Sequence, residues 1–396
     1  VFFMTFCALS SAKGMDIKMK NKSTAIDIRN YNRNIIYNLL FQEDDLSQKE
    51  IAEKLNLSLP TVIQNLNDLR EQNLILELGH YQSTGGRKAK RIALNAMARV
   101  ALGLDITKNH ISLVLLNLTG EILECKHIRL IYRDSSDFYE TIATLIKQIL
   151  MLHNIEKEQI LGMGVSLPAI IASDHKTITY SKVITGLPEG ALFYEHISSY
   201  FSFPILLEND ASSGGFAELW FRPSTANIFY LLVSNSIGGA IYFNNTAYTG
   251  EHNRSAEIGH TTLIPDGLKC YCGRSGCVDV YCSASLLSEF SEDGTLEGFF
   301  NELKMKNPVF IKYWEQYLDY IAMTISNIRL LFDCDIIIGG YVGNYIEPYI
   351  LDVRKHVMDR EIFSENADFV LPCKLHTESS AVGAALIYID QFKKSI

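Results

Sequence analysis

Three thiols and one imidazole fall within eighteen residues of this chain: His260, Cys270, Cys272 and Cys277, carried by Glu257-Ile-Gly-His260 and Lys269-Cys-Tyr-Cys-Gly-Arg-Ser-Gly-Cys277. One nitrogen and three sulfur ligands make a full tetrahedral zinc shell, and a shell closed by protein leaves no position for a catalytic water. The cofactor expected is therefore a structural Zn2+. Gly273 and Gly276 supply the tight backbone that returns Cys277 to the metal, since glycine reaches positive φ at little steric cost. The plainer reading, buried or reactive cysteines gathered by chance, fits this spacing less well.

These residues resemble the signature of the ROK family of bacterial sugar kinases and sugar-responsive repressors. That pattern reads Glu-x-Gly-His, then Cys-x-Cys-Gly-x-x-Gly-Cys-x-Glu, and this chain departs from it only in Asp279, where the family has Glu. The resemblance implies that His260 and the three cysteines hold zinc while Glu257 and His260 face a sugar. It also places Asn209-Asp210 on the family's Asn-Asp, whose Asp takes the proton from a sugar hydroxyl. Glu257, His260, Asn209, Asp210 and Asp279 are thus the expected sugar contacts. Carboxylate, amide and imidazole together suit a polyol, because each hydroxyl both donates and accepts. Taken without the family, Asn209-Asp210 reads equally well as a helix cap after a strand, and Asp279 as an outer partner of the zinc loop.

A length of 396 residues calls for two or three domains. Residues 1–99 hold 14 Lys+Arg against 10 Asp+Glu and the remainder 22 against 35, so a head of +4 precedes a body of −13. A basic module on an acidic body points to a polyanion partner for the head. The eight cysteines are mostly scattered outside the cluster, which fits a reducing cytoplasm better than a disulfide framework. Residues 1–23 read as a disordered tail, with Met15 and Met19 as candidate starts, and no run reaches membrane length.

Residues 24–96 read as an α+β winged helix-turn-helix. Ile28, Ile35, Ile36, Leu39 and Leu40 recur at helical spacing, and Ser47 with Glu50 forms a capping box before Ile51, Ala52 and Leu55. After Asn56-Leu57-Ser58 a third helix buries Val62, Leu66 and Leu69, leaving Thr61, Gln64 and Asn65, with Asp68, as base-edge readers of operator DNA. Two strands, 74–78 and 89–94, flank a wing in which Gly85 and Gly86 permit close approach and Arg87, Lys88, Lys90 and Arg91 bring charge to phosphates. This wing resembles the Gly-Gly-Arg wing of ROK repressors.

From residue 97 the pattern alternates. Strands at 100–105, 111–117 and 121–130, then a helix at 138–152 and a strand at 161–165, are matched later by strands at 228–234, 239–243 and 246–248, a helix at 310–332 and a strand at 335–338. One α/β plan is used twice. The resemblance makes this the two-lobed actin-like module of sugar kinases and hexokinases, with lobe 1 at 97–215 completed by a C-terminal helix at 379–396, and lobe 2 with the zinc loop at 216–378.

The family's first phosphate loop, Asp-x-Gly-Gly-Thr, is Asp105-Ile-Thr-Lys108 here, and a later run of three glycines is Gly339-Gly-Tyr341. Ser236-Ile-Gly-Gly239 is partly kept, and Pro168-Ala169 replaces Pro-Gly. Side chains at such turns keep backbone amides away from phosphate, so ATP binding is expected to be lost and Asp210 vestigial as a base. The expectation is a sugar-responsive repressor, a homodimer or homotetramer on operator DNA with no membrane association. The rival readings are an ATP-dependent sugar kinase with an added DNA-binding domain, and a co-regulator controlled by another protein. Replacing Arg87 by Ala should weaken DNA binding and lower the salt slope by about one; titrations at several salt concentrations that return an unaltered slope would remove the wing from the contact.

Overall fold

The structure, a computed structural model, describes residues 25–80, 90–223, 225 and 227–396. It divides into two compact units, residues 1–98 with 390–396 and residues 99–389.

In the smaller unit, α1 (Ala25–Gln42), α2 (Gln48–Leu55) and α3 (Leu59–Glu71) precede β1 (Ile75–His80) and β2 (Lys90–Leu94). Ser47 caps α2, its side chain accepting from Glu50 N while Glu50 returns a carboxylate to Ser47 N at 2.8 Å. Asn56, left-handed at φ 53°, ends that helix, and Ser58 caps the next with Pro60 in its first turn. Across a very short turn, Asn56 N–H satisfies orphan carbonyls at the end of α2 and the Ser58 hydroxyl satisfies an orphan amide at the start of α3. Ile36, Leu40, Ile51, Val62, Leu66 and Leu69 are buried between the helices. The two strands pair antiparallel from Ile75 opposite Leu94, and Leu46 adds a short third rung through mutual bonds with Ile92 at 2.9 Å. Against α1, Asn34 donates to Lys393 O at 2.9 Å and the Lys393 ammonium lies 3.8 Å from the Phe41 ring centroid.

The larger unit contains two five-stranded sheets of one design. The first, in the order β5-β4-β3-β6-β9, is built from β3 (Val100–Ile106), β4 (His110–Asn117), β5 (Ile122–Arg129), β6 (Ile160–Leu167) and β9 (Ile205–Asn209). The second, β12-β11-β10-β13-β14, uses β10 (Ile228–Val233), β11 (Ile237–Phe243), β12 (Thr246–Ala247), β13 (Asp335–Gly339) and β14 (Val370–Pro372). In each, three antiparallel strands lead to two parallel ones, so the duplication legible in the sequence is a duplication of topology. A separate ribbon, β7 (Ile170–Ile171) with β8 (Ile178–Tyr180), follows β6.

Each sheet has its own core. The first packs Leu102, Leu104, Leu113 and Val165 against Ile142, Ile146 and Ile149 of α4 (Ser136–Leu152). The second packs Phe229, Leu231, Ile336 and Ile338 against Trp314, Leu318, Ile321 and Ile325 of a long helix, Pro308–Phe332. The opposite face of the first sheet receives the final helix, Ser379–Ser395, through Ala381, Val382 and Ala385 against Ala101, Val114 and Leu116. Small residues are required there: a Cβ on Gly103 would lie 1.9 Å from Ala381 O, and one on Gly164 2.1 Å from Ala384 O. A further tie is the fully buried Glu218, which accepts from Lys374 N and Leu375 N at 2.8 Å and from Arg222 Nε at 3.0 Å. Among the described residues no helix is long and apolar enough to cross a membrane. Replacing Gly103 by Ala should destabilise the unit by about 1–3 kcal/mol through overpacking; a denaturant midpoint equal to that of the unaltered chain would show that helix and sheet are not in this close contact.

Candidate functional site

The four metal-ligating candidates sit on one turn and one hairpin. Glu257 leads into the 3-10 turn Ile258–His260, and the chain then forms a small loop closed by bridges between Thr262 and Cys277 and between Lys269 and Ser275. Gly276 has φ 79°, and a side chain there would meet Ile264 O at 1.8 Å, so only glycine can turn the chain back toward the cluster. Arg274 braces the hairpin, donating to His260 O and Thr262 Oγ1 at 3.1 Å.

The ligand atoms of His260, Cys270, Cys272 and Cys277 all lie within 4.8 Å of one another. His260 Nδ1 is 3.8 Å from Cys270 Sγ, and Cys272 Sγ is 3.7 Å from Cys277 Sγ. Zinc bonds of about 2.3 Å to sulfur and 2.0–2.1 Å to nitrogen set tetrahedral vertices roughly 3.5–3.8 Å apart. The donor set and its spacing fit a metal ion of that kind. His260 presents Nδ1 to the cluster, which turns Nε2 toward the Tyr271 hydroxyl at 3.4 Å.

Next to Glu257 opens a cavity of about 220 Å³ lined also by Asn209, Glu208, His175, Ser173 and Asn253. Asn209 ends β9 and caps the helix α5 (Asp210–Trp220), accepting from Ser212 N at 3.0 Å and donating to Ala169 O at 3.1 Å. Both readings of Asn209 therefore apply to one side chain: it caps a helix, and it faces a cavity. Asp210, first in that helix, has its carboxyl pushed up to about 8 by burial and by the nearby charge of Asp105. Asp105 is itself raised to about 6 by burial, offset by the Ser166 hydroxyl at 2.7 Å.

Of the expected sugar contacts, Asn209 and Glu257 line the cavity; Asp210 and His260 do not, and neither does Asp279. It is 5% exposed and its carboxylate accepts from Ile237 N at 2.7 Å, so the acid fixes the start of β11. The expectation of a direct sugar contact from Asp279 is not what the structure places there. A side chain shorter than Glu by one methylene reaches the main chain of the neighbouring strand.

Strand register brings a polar row across the whole first sheet: His127, Ser112, Asp105, Ser166 and Glu208 are successive partners. Above Asp105 stands Tyr341, whose phenol interacts with Thr107 and lies close enough to Asp105 and Asp210 to be raised by their charges, after the larger effect of its own burial. Tyr341 follows Gly339-Gly340 at the end of β13. Sequence reasoning noted Tyr341 only as a missing glycine, and it did not find Glu208, His175 or Asn253; an acid immediately before Asn209-Asp210 at a strand end was the available signal for Glu208.

In the smaller unit Gln64 is exposed and Thr61 half-buried on α3, Thr61 sharing a 2.8 Å hydroxyl contact with Ser58. Asn65 is not outward: it is 2% exposed and donates to Thr61 O at 2.8 Å. Its position four residues from Thr61 and Leu69 places it on the buried side of the helix, and Ile63 and Asn67 are exposed instead. Asp68 is held by Arg29 in a two-point ion pair, Nε at 2.8 Å. Lys90 bonds Glu77 at 2.6 Å and Arg91 pairs with Asp45. The wing residues Gly85, Gly86, Arg87 and Lys88 lie outside the described residues.

The ROK family model matches residues 101–391, and a model of winged helix-turn-helix DNA-binding domains matches residues 29–75. The chain belongs to the ROK family. A xylose repressor of Bacillus spizizenii is 24% identical over 92% of this chain and 96% of its own length. The DNA-binding transcriptional dual regulator NagC of Escherichia coli is 24% identical over 66% of this chain and 64% of its own length. Among solved structures, a ROK family transcriptional regulator described as a homolog of the E. coli MLC protein has a TM-score of 0.73 at 17% identity, covering 93% of this chain and 97% of that one. A ROK glucokinase from Streptomyces griseus, in complex with glucose and AMPPNP, has a TM-score of 0.57 at 20% identity and covers 73% of this chain and 98% of its own. These likenesses show a winged helix-turn-helix followed by the ROK sugar-kinase-like fold.

Replacing Cys272 by Ser removes one of the four ligand atoms and should abolish stoichiometric metal binding while leaving the smaller unit folded. Elemental analysis of purified protein is the check, and unchanged metal content would refute the cluster as a metal site.

Proposed function

We infer that this chain is a transcriptional repressor of carbohydrate metabolism: the winged helix-turn-helix binds operator DNA and the ROK module binds a sugar that alters the affinity for DNA. The observation that carries the reading is the end-to-end match to a xylose repressor, head and module together, over 92% of this chain. Thr61 and Gln64, with the wing residues Gly85, Gly86, Arg87 and Lys88, are the DNA contacts in this reading. A sugar displaces the equilibrium between DNA-competent and DNA-incompetent states by no more than its differential affinity for the two.

In the larger unit, Asn209 and Glu257, which line the cavity, hold sugar hydroxyls together with Asp210 next to Asn209, and His260 acts through the loop it anchors, its Nε2 facing the Tyr271 hydroxyl. His260, Cys270, Cys272 and Cys277 hold a structural Zn2+, which supplies rigidity to the loop that carries Glu257 and takes no part in chemistry. Asp279 acts from behind that loop. The thiolate ligands a zinc requires suit a reducing cytoplasm, and paired half-sites suit a homodimer or a tetramer of such dimers.

The module is not read as a working kinase. Asp105-Ile-Thr-Lys108 has no glycine to bring amides to a phosphate, and the Tyr341 phenol stands beside Thr107 and Asp105. The observation favouring the rival reading is the retained Asp210. Its carboxyl, raised to about 8 by burial first and then by the charge of Asp105, keeps the proton affinity that a base needs, so the case against a kinase rests on the loop and on Tyr341.

Fluorescence anisotropy of the full chain on DNA from its own promoter region, with and without D-xylose, D-glucose or N-acetylglucosamine, tests the proposal. One sugar should lower the affinity for DNA about tenfold or more, in the ordinary range of coupling energies, with no ADP formed from ATP. Sugar-dependent ATP turnover would establish the kinase instead. DNA binding answering to no sugar but to a captured protein would leave a co-regulator.

A further inference from the structure

The electrostatics of the cavity beside Glu257 bear on which chemical form of sugar enters it. Two carboxylates, Glu208 and Glu257, line it, and among the described residues that line it there is no Lys and no Arg. His175 is the one basic side chain in the lining, and its Nδ1 lies 3.2 Å from Leu207 O and 3.5 Å from Glu208 Oε2. The nearest cations along the chain are turned elsewhere. Lys176, beside His175, places its ammonium 5.3 Å from the Tyr194 ring centroid. Arg254, between Asn253 and Ser255, is exposed and does not line the cavity although both of its neighbours do.

The remaining polar groups are neutral and suited to hydroxyls. Asn253 donates to Ile171 O at 3.0 Å and to Ser173 Oγ at 3.2 Å, which fixes its amide and leaves its carbonyl oxygen as an acceptor. Burial holds the Glu208 carboxyl above its ordinary range, against the opposing effects of the Asn209 N–H and of His175. Burial raises the Glu257 carboxyl as well, which marks a site with no spare positive charge to receive an anion. At roughly 30 Å³ per water displaced, the volume of about 220 Å³ is that of some seven waters, the scale of one monosaccharide.

Resting on the repressor reading, we propose that the effector is a single uncharged monosaccharide and that its phosphate ester is excluded, because Glu208 and Glu257 line the cavity with no cation to receive a phosphate. The sugar is then sensed as it is before any phosphoryl transfer, and a reaction that phosphorylates it consumes the signal.

Isothermal titration of the full chain with three pairs tests this: D-xylose and its 5-phosphate, D-glucose and its 6-phosphate, N-acetylglucosamine and its 6-phosphate. At least one free sugar should bind, and its ester should bind at least tenfold more weakly. An ester that binds as tightly as its parent sugar, or binds alone, overturns the proposal and leaves the repressor reading standing; loss of that ester binding in Arg254→Ala would show where the phosphate sits. Binding of none of the six removes the sugar-responsive reading itself, and this proposal with it. Glu208→Gln, which keeps the shape and deletes the charge, should narrow the gap between ester and sugar by about fivefold or more, fivefold being the ceiling for an exposed pair and Glu208 being largely buried. An unchanged ratio in a variant that still binds the sugar would show that charge does not set the preference.

Discussion

Three thiols and an imidazole drawn to within 4.8 Å of one another, on a hairpin that no helix or sheet runs through, constitute the constraint on which the ligand side of this protein depends. The hairpin has little regular hydrogen bonding to hold its shape. Its closure comes from two isolated bridges, the left-handed turns at Gly273 and Gly276, and the Arg274 guanidinium. A metal ion held by the four ligands would join those weak restraints at one point. Glu257 leaves the cluster in the direction of the cavity, three residues before His260, and Asp279 leaves it two residues after Cys277 to grip β11. The same short stretch thereby sets one wall of the cavity and the first residue of a central strand.

The duplicated architecture was legible because its signals are local. Alternating strands, Gly-bearing turns and long apolar helices each declare themselves within a dozen residues, and they recur in the same order. The cap at Ser47 and Glu50 was legible for the same reason. Asn65 was misread because a polar residue between Gln64 and Leu66 sits at the edge of the apolar stripe, and Val62, Leu66 and Leu69 define a face wide enough to include it. Its amide, bonded to Thr61 O, belongs to the interior.

The polar row from His127 to Glu208 was beyond sequence reasoning, since it depends on the register of five strands that are far apart along the chain. The same holds for Tyr341. In sequence it is one substituted glycine; in space it lies against Thr107 and close to Asp105 at the end of β3 and Asp210 at the start of α5. Asp279 was half legible. The spacing marked it as belonging with the cysteines, but the difference between an acid that reaches a ligand and one that reaches Ile237 N is a single methylene in a crowded turn.

Because the two five-stranded sheets keep separate hydrophobic cores, substitutions at the end of one need not disturb the other. A bulky residue such as Tyr341 at the end of one sheet is therefore compatible with an unchanged polar lining at the end of the other. By the same token, the two separate segments around Ser173–His175 and around Asn253 could be exchanged between relatives to alter the cavity while leaving the framework untouched.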